Sequence, residues 1–178
     1  SQTEDTRSIE IWRNSLHQPH VLRIKVIGLT SWDNNSDGSS DTFNFLSRTW
    51  QGSDTNNDGF LDRRVFHRHY MMQRDDNADG NVAFSVNSNI WHARNLSLSA
   101  SGTIEVLQEA YLSHNVILWN INSQGHAYHT NITWVGFQID YVAGTTQGIT
   151  VTAIIIDSNQ DGTPESTNYT TAQNSTPP

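Results

Sequence analysis

Four hexapeptides of pattern DxNxDG stand in the chain: Asp33 to Gly38, Asp54 to Gly59, Asp75 to Gly80 and Asp157 to Gly162. Oxygen-bearing side chains at alternate positions 1, 3 and 5 can converge on one hard cation, and glycine at position 6 permits the sharp turn between them. The residues so placed are Asp33, Asn35 and Asp37, then Asp54, Asn56 and Asp58, then Asp75, Asn77 and Asp79, and last Asp157, Asn159 and Asp161. Position 7 offers a backbone carbonyl, here from Ser39, Phe60, Asn81 and Thr163. Position 9 can ligate directly or through water. It reads Asp41, Asp62, Ala83 and Glu165, so the third loop is the poorest unless Asp76 compensates. Asp, Asn and Gly also form turns without any metal. Four copies with the same residues at positions 1, 3, 5 and 6 point instead to Ca2+ as the bound cofactor.

These segments resemble the calcium loops of dockerins, thrombospondin type 3 repeats and EF-hands, and the resemblance covers little more than each loop. It implies calcium ligation and nothing wider. An EF-hand closes with a bidentate Glu at position 12, where this chain has Asn44, Val65, Val86 and Asn168. A remaining ligand would come from another segment or from water, and no helix pair or switching is implied. The affinity expected of such sites is on the order of 10⁻⁴ to 10⁻³ M, as in extracellular modules.

The first three loops begin at residues 33, 54 and 75, a period of 21. That leaves room for one strand per unit, at Thr42 to Trp50 and Arg64 to Met72, joined by hairpin-like connections rather than a solenoid. Alternating or continuous β-branched runs predict further strands at Ser8 to Trp12, Val21 to Leu29, Thr103 to Leu107, Val116 to Ile121, Asn131 to Tyr141 and Ile149 to Ile156. Glu105 to Leu112 could form one short helix. Eight to ten strands at this spacing predict a single all-β domain over residues 1–178: an antiparallel β-sandwich of jelly-roll type with calcium loops at its strand ends. The polar terminal segments, 1–7 and 166–178, are expected to dock by strand addition on an exposed sheet edge of their own or a neighbouring subunit.

Composition narrows the function. Leu, Ile, Val and Phe make up 40 of 178 residues, enough for a thin core, whereas Ser, Thr and Asn number 55 and favour strands and turns over long helices. Metal loops would then staple that core. The chain has no cysteine, which excludes disulfides and thiolate sites. No apolar run is long enough for a membrane span. A net charge of -8 with Lys25 as sole lysine disfavours nucleic acid. His67 and His69 share a strand face and could hold zinc with a third ligand, though exposed strands carry such residues routinely. His126 and His129 form a second close pair. Outside the loops the acids are Glu4, Asp5, Glu10, Glu105, Glu109 and Asp140. None forms an evident catalytic pair, so no enzyme is expected. Six tryptophans, Trp12, Trp32, Trp50, Trp91, Trp119 and Trp134, are expected mostly in the core, with exposed ones able to stack on sugar rings.

The charge is unevenly placed. Twelve of the eighteen acids lie in or beside the four loops, so the remainder carries six acids against ten bases and is net positive. Four bound Ca2+ ions would cancel the net charge of -8 and remove the repulsion between copies. The chain opens on Ser1 and has sequons at Asn34, Asn95, Asn131, Asn168 and Asn174, in keeping with a mature secreted glycoprotein. The expectation is an extracellular, calcium-stabilised structural subunit that self-assembles into a filament, tube or surface layer. The alternative is a calcium-dependent carbohydrate-binding or adhesion module, with polysaccharide as partner.

Overall fold

The computed structural model describes residues 2–77 and 79–176. It is all-β, with no helix among the described residues. The strands are β1 (Gln2–Arg13), β2 (Pro19–Trp32), β3 (Thr42–Ser53), β4 (Arg63–Arg74), β5 (Phe84–Leu98), β6 (Ile104–Ile121), β7 (Ala127–Asp140), β8 (Thr145–Ile156) and β9 (Ser166–Thr176). Every consecutive pair is antiparallel, and the order across the sheet is the order in sequence. No helix-period pattern survives at Glu105 to Leu112, because β6 runs straight through it and pairs with β5 and β7 on its two sides. Ladder bonds to two neighbours outweigh the weak local preference of that segment for a helix. The two short strands predicted around it are halves of this one 18-residue strand.

Each DxNxDG loop connects two strands and fixes their register in the same way. The pairs that close the four loops are Trp32 with Thr42, Ser53 with Arg63, Arg74 with Phe84, and Ile156 with Ser166. In every case the centre of symmetry falls on the fifth loop residue: Asp37, Asp58, Asp79 or Asp161. A nine-residue loop followed by a twelve-residue strand gives the 21-residue period. Because successive turns alternate between the two ends of the sheet, the first, third and fourth loops share one end with the Asn122 to His126 turn. The second loop lies at the other.

One sheet stands where two were expected. Among the described residues each strand touches only its sequence neighbours. The accessible surface is 11086 Å², against about 8,700 Å² for a compact monomer of this mass. Among the described residues only Leu96 and Ala153 are buried apolar side chains. The tryptophans therefore do not form a core, and Trp12, Trp32, Trp50 and Trp134 are 37–45% exposed. Each strand divides its apolar residues between both faces, and a chain so patterned cannot cover either face by itself.

The two faces differ in kind. One carries a straight cross-strand row of Ile24, Trp50, Phe66, His92, Tyr111 and Phe137. Trp50 and Phe66 lie 5.4 Å apart and Tyr111 stacks on Phe137 at 5.1 Å. The other face, over β5 to β8, presents Leu112, Val116, Ile132, Trp134, Ile149 and Val151 around His114, and its one charged side chain there, Asp140, sits at the margin. These are called the aromatic and the neutral face below. The terminal segments add to the chain's own sheet as β1 and β9, both largely exposed. Ser1, Pro177 and Pro178, at the ends of the segments expected to dock on a sheet edge, lie outside the described residues.

Candidate metal centre

The four loops share one local conformation. Gly38, Gly59, Gly80 and Gly162 have φ of 85–92°, and position 4 is also left-handed at Ser36, Asn57 and Gln160. Glycine is the residue that takes this backbone without steric cost. The carboxylate at position 1 accepts the position-6 amide: Gly38 to Asp33 at 3.0 Å, Gly59 to Asp54 at 2.9 Å, Gly80 to Asp75 at 2.7 Å and Gly162 to Asp157 at 2.9 Å. Position 5 accepts the position-7 amide, with Ser39 N–H donating to Asp37 at 2.7 Å and Phe60, Asn81 and Thr163 to their partners at 2.8 Å. Asn35, Asn56, Asn77 and Asn159 each donate Nδ2 to the position-5 carboxylate at 2.9–3.1 Å. Positions 3 and 5 are thus bonded to one another in each turn, and in the second and fourth loops the position-5 amide also bridges positions 1 and 3.

The ninth position separates the third loop from the rest. Asp41 accepts the Asn34 amide at 2.6 Å, Asp62 accepts the Thr55 amide at 2.9 Å and its hydroxyl at 2.6 Å, and Glu165 accepts the Ser158 amide at 2.5 Å. Ala83 has no side-chain oxygen to offer. Asp76 does not replace it, because both its oxygens are engaged by the Arg74 guanidinium, which raises the Arg74 pKa.

Burial is the informative quantity here. Asp54 is the largest fully buried side chain, at 0% exposure, and Asp41 and Asp157 are buried at 6% and 5%. A carboxylate taken out of water needs an opposite charge or a metal. Among the described residues none of the three has a basic partner within ion-pair distance. The oxygens available, from carboxylate, amide and backbone carbonyl, are the hard donors that suit Ca2+. The residues present therefore fit that ion, although no three His, Cys, Asp or Glu side chains converge among the described residues. Asparagine and carbonyl oxygens would have to complete each set. The Ser39 amide and the Asn35 side chain hold the Asp37 carboxyl below its usual pKa, and the Asn81 amide and Asn77 do so for Asp79. Partial burial pushes the Asp62 carboxyl up, but hydrogen bonds from Thr55 outweigh it and leave the pKa lowered.

The neighbours of two loops were not legible in the motif. Gln160, at position 4 of the fourth loop, bonds the Asn122 to His126 turn: its Nε2 donates to the Asn120 and His126 carbonyls, and its own carbonyl accepts Asn122 Nδ2 at 3.0 Å. His126 Nδ1 lies 3.0 Å from that same carbonyl, so this histidine braces a turn. At the second loop, Asp54 N–H donates to the His20 carbonyl at 2.9 Å and Gln18 packs against Gly59. Their shared feature is a place one strand away from a loop, which only the register reveals.

The other candidates disperse. His67 and His69 are on the neutral face, and His69 Nε2 is buried with no partner among the described residues. No third ligand reaches them among the described residues. Glu109 bonds His92 Nε2 at 2.6 Å and Arg94 at 3.2 Å. Burial pushes its pKa up, the two partners pull it down, and the net is a lowered value. In comparisons with known proteins, no family model, no curated protein and no solved structure matches the chain.

Proposed function

We propose that the chain is a secreted, calcium-stabilised structural subunit whose sheet is completed by a second copy, as the building unit of an extracellular filament, tube or surface layer. The observation that carries this reading is the single-layer sheet, in which three loop carboxylates, Asp41, Asp54 and Asp157, are better buried than nearly all the described apolar side chains. A sheet must bury an apolar face against another element. With strands about 4.8 Å apart and a rise of about 3.3 Å per residue, nine strands of roughly twelve residues span about 1,500 Å² on each face. A stable interface needs about 800 Å² per partner.

The neutral face is the better candidate for this contact. Two copies laid face to face there would make the β-sandwich that the strand count led us to expect, and they would bring few like charges together. Calcium contributes twice: it would compensate the buried loop carboxylates, and it would cancel the charge of -8 that keeps copies apart. Sedimentation equilibrium in millimolar calcium is expected to show dimers or larger species that dissociate in chelator, with extended assemblies in negative-stain images only in calcium. Trp134→Glu, at the middle of the neutral face, is expected to leave a monomer in both conditions. The same monomeric mass for the parent chain with and without calcium would end this reading.

A further inference from the structure

Arg48 on β3 and Arg68 on β4 are register partners on the aromatic face. Side chains so opposed have Cβ atoms about 5 Å apart, and like charges in that position repel. Their setting is unusual for its lack of relief. Among the described residues neither arginine forms a salt bridge, and Arg68 Nε is buried with no hydrogen-bond partner. By contrast Arg74 has Asp76 and Arg94 has Glu109. Strands β3, β4 and β5 contribute Arg48, Arg64, Arg68, Arg74 and Arg94 to this face and contain no acid at all.

In the next cross-strand row stand Trp50 and Phe66, opposite one another, and Ile90 faces Arg68. The five residues line a shallow pocket of about 350 Å³. Trp50 is 40% exposed at its rim. Two planar guanidiniums match the oxygens of a carboxylate or sulfate in forked pairs, and an exposed indole offers an apolar surface with a polar tip. An oxyanion placed between the arginines would remove their repulsion and satisfy Arg68 Nε, while the ring carrying that oxyanion would lie on Trp50.

We propose that Arg48, Arg68 and Trp50 form a binding site for an acidic sugar, a uronate or sulfated residue of a polysaccharide. This site is on the face opposite the proposed contact between copies and stands independently of it.

The test is calorimetric titration of the full chain, at one fixed calcium concentration, with oligogalacturonate, sulfated dextran oligosaccharide, neutral dextran oligosaccharide and single-stranded oligodeoxythymidylate. Saturable binding of the first or second, and none of the neutral sugar, is expected. Which of the two binds identifies the group as carboxylate or sulfate. The double variant Arg48→Gln with Arg68→Gln is expected to bind about tenfold or more weakly, with an unchanged or raised Tm because a like-charge pair is gone. Arg48→Lys with Arg68→Lys keeps the charge and loses the forks, so an intermediate loss is expected; this pair carries the test should the glutamine variant fail to fold. Trp50→Leu is expected to weaken binding about fivefold, and Lys25→Gln on the other face to leave it unchanged. Binding that survives both arginine pairs, that falls equally in Lys25→Gln, that extends to neutral dextran, or that is tighter for the oligonucleotide overturns the proposal, as does no binding of either acidic sugar.

Discussion

The second and third DxNxDG loops are the same turn in two different settings. Both place glycine at φ near 90°, both send the glycine amide to the first carboxylate, and both centre their hairpin on the fifth residue. Asp54 of the second loop is nevertheless fully buried beside His20, whereas Asp75 is only half-buried, and Asp62 closes the second loop where Ala83 leaves the third open. The hexapeptide therefore dictates backbone shape, while the ninth position and the neighbouring strand decide how strongly charge is held. Shape alone makes a hairpin. Held charge is what a cation would recognise.

The largest effect that separates the two is expected from deleting the first carboxylate of each. Asp54→Ala removes the part-buried hydrogen bonds that Asp54 accepts from the Asp58 and Gly59 amides and leaves the Gly59 amide without its acceptor, and with loss of the proposed ion the expected cost is about 3 kcal/mol, or a Tm fall of roughly 6–12 °C for a chain of this size. Asp75→Ala, whose partners reach water more easily, is expected to cost about 1 kcal/mol, or roughly 2–4 °C. Differential scanning calorimetry in calcium reads both. In chelator the gap between the two variants is expected to narrow, because on the proposed reading a bound ion would make Asp54 worth more than its hydrogen bonds. Equal losses for both in calcium would show that the loops act only as turns.

A sharper comparison converts one loop toward the other. Ala83→Asp supplies the missing ninth-position oxygen, and the higher ligand charge is expected to tighten calcium at the third loop about tenfold, or about 1.4 kcal/mol. Competition with a chromophoric chelator measures it. Arg74→Gln, which releases Asp76 from its ion pair, is expected to give a smaller gain, since Asp76 at position 2 is not one of the alternating ligand positions.

What the residues disclosed in advance follows this division. The loops and their strands were legible because a DxNxDG turn is built from contacts within nine residues, and alternation marks the flanking strands. The number of layers was not. Apolar residues alternate onto both faces, Leu112 and Val116 to one, Tyr111 and Ile117 to the other, so the pattern fits a strand covered on both sides and says nothing of what covers it. The apparent helix at Glu105 to Leu112 failed for a related reason, since its periodicity was weaker than the pairing offered by β5 and β7. The opposed arginines were in principle readable: Arg48 and Arg68 are equidistant from Asp58, the centre about which the second loop folds. Folding each loop about its fifth residue is the operation that would have found them.

The smallest effect comes from a turn that makes the same kind of hydrogen bond without the motif. Asp140, at the end of β7, accepts the Val142 and Ala143 amides at 3.0 and 2.9 Å and Gln108 Nε2 at 2.9 Å. The Ala143 amide and Gln108 hold its carboxyl below the usual value. A carboxyl lowered on folding stabilises the protein above its unfolded pKa, and that contribution is lost as pH falls through the lower, folded value. Asp140→Asn is therefore expected to lower Tm by about 2 °C at pH 6, with the difference from the parent chain closing below about pH 4. Because no alternating side-chain oxygens and no ninth-position acid complete a ligand set there, the difference at pH 6 is expected to be the same in calcium and in chelator. A calcium-dependent difference at Asp140 would mean that the ion acts on the sheet as a whole, and the contrast between loops would then reflect global stability instead of local occupancy.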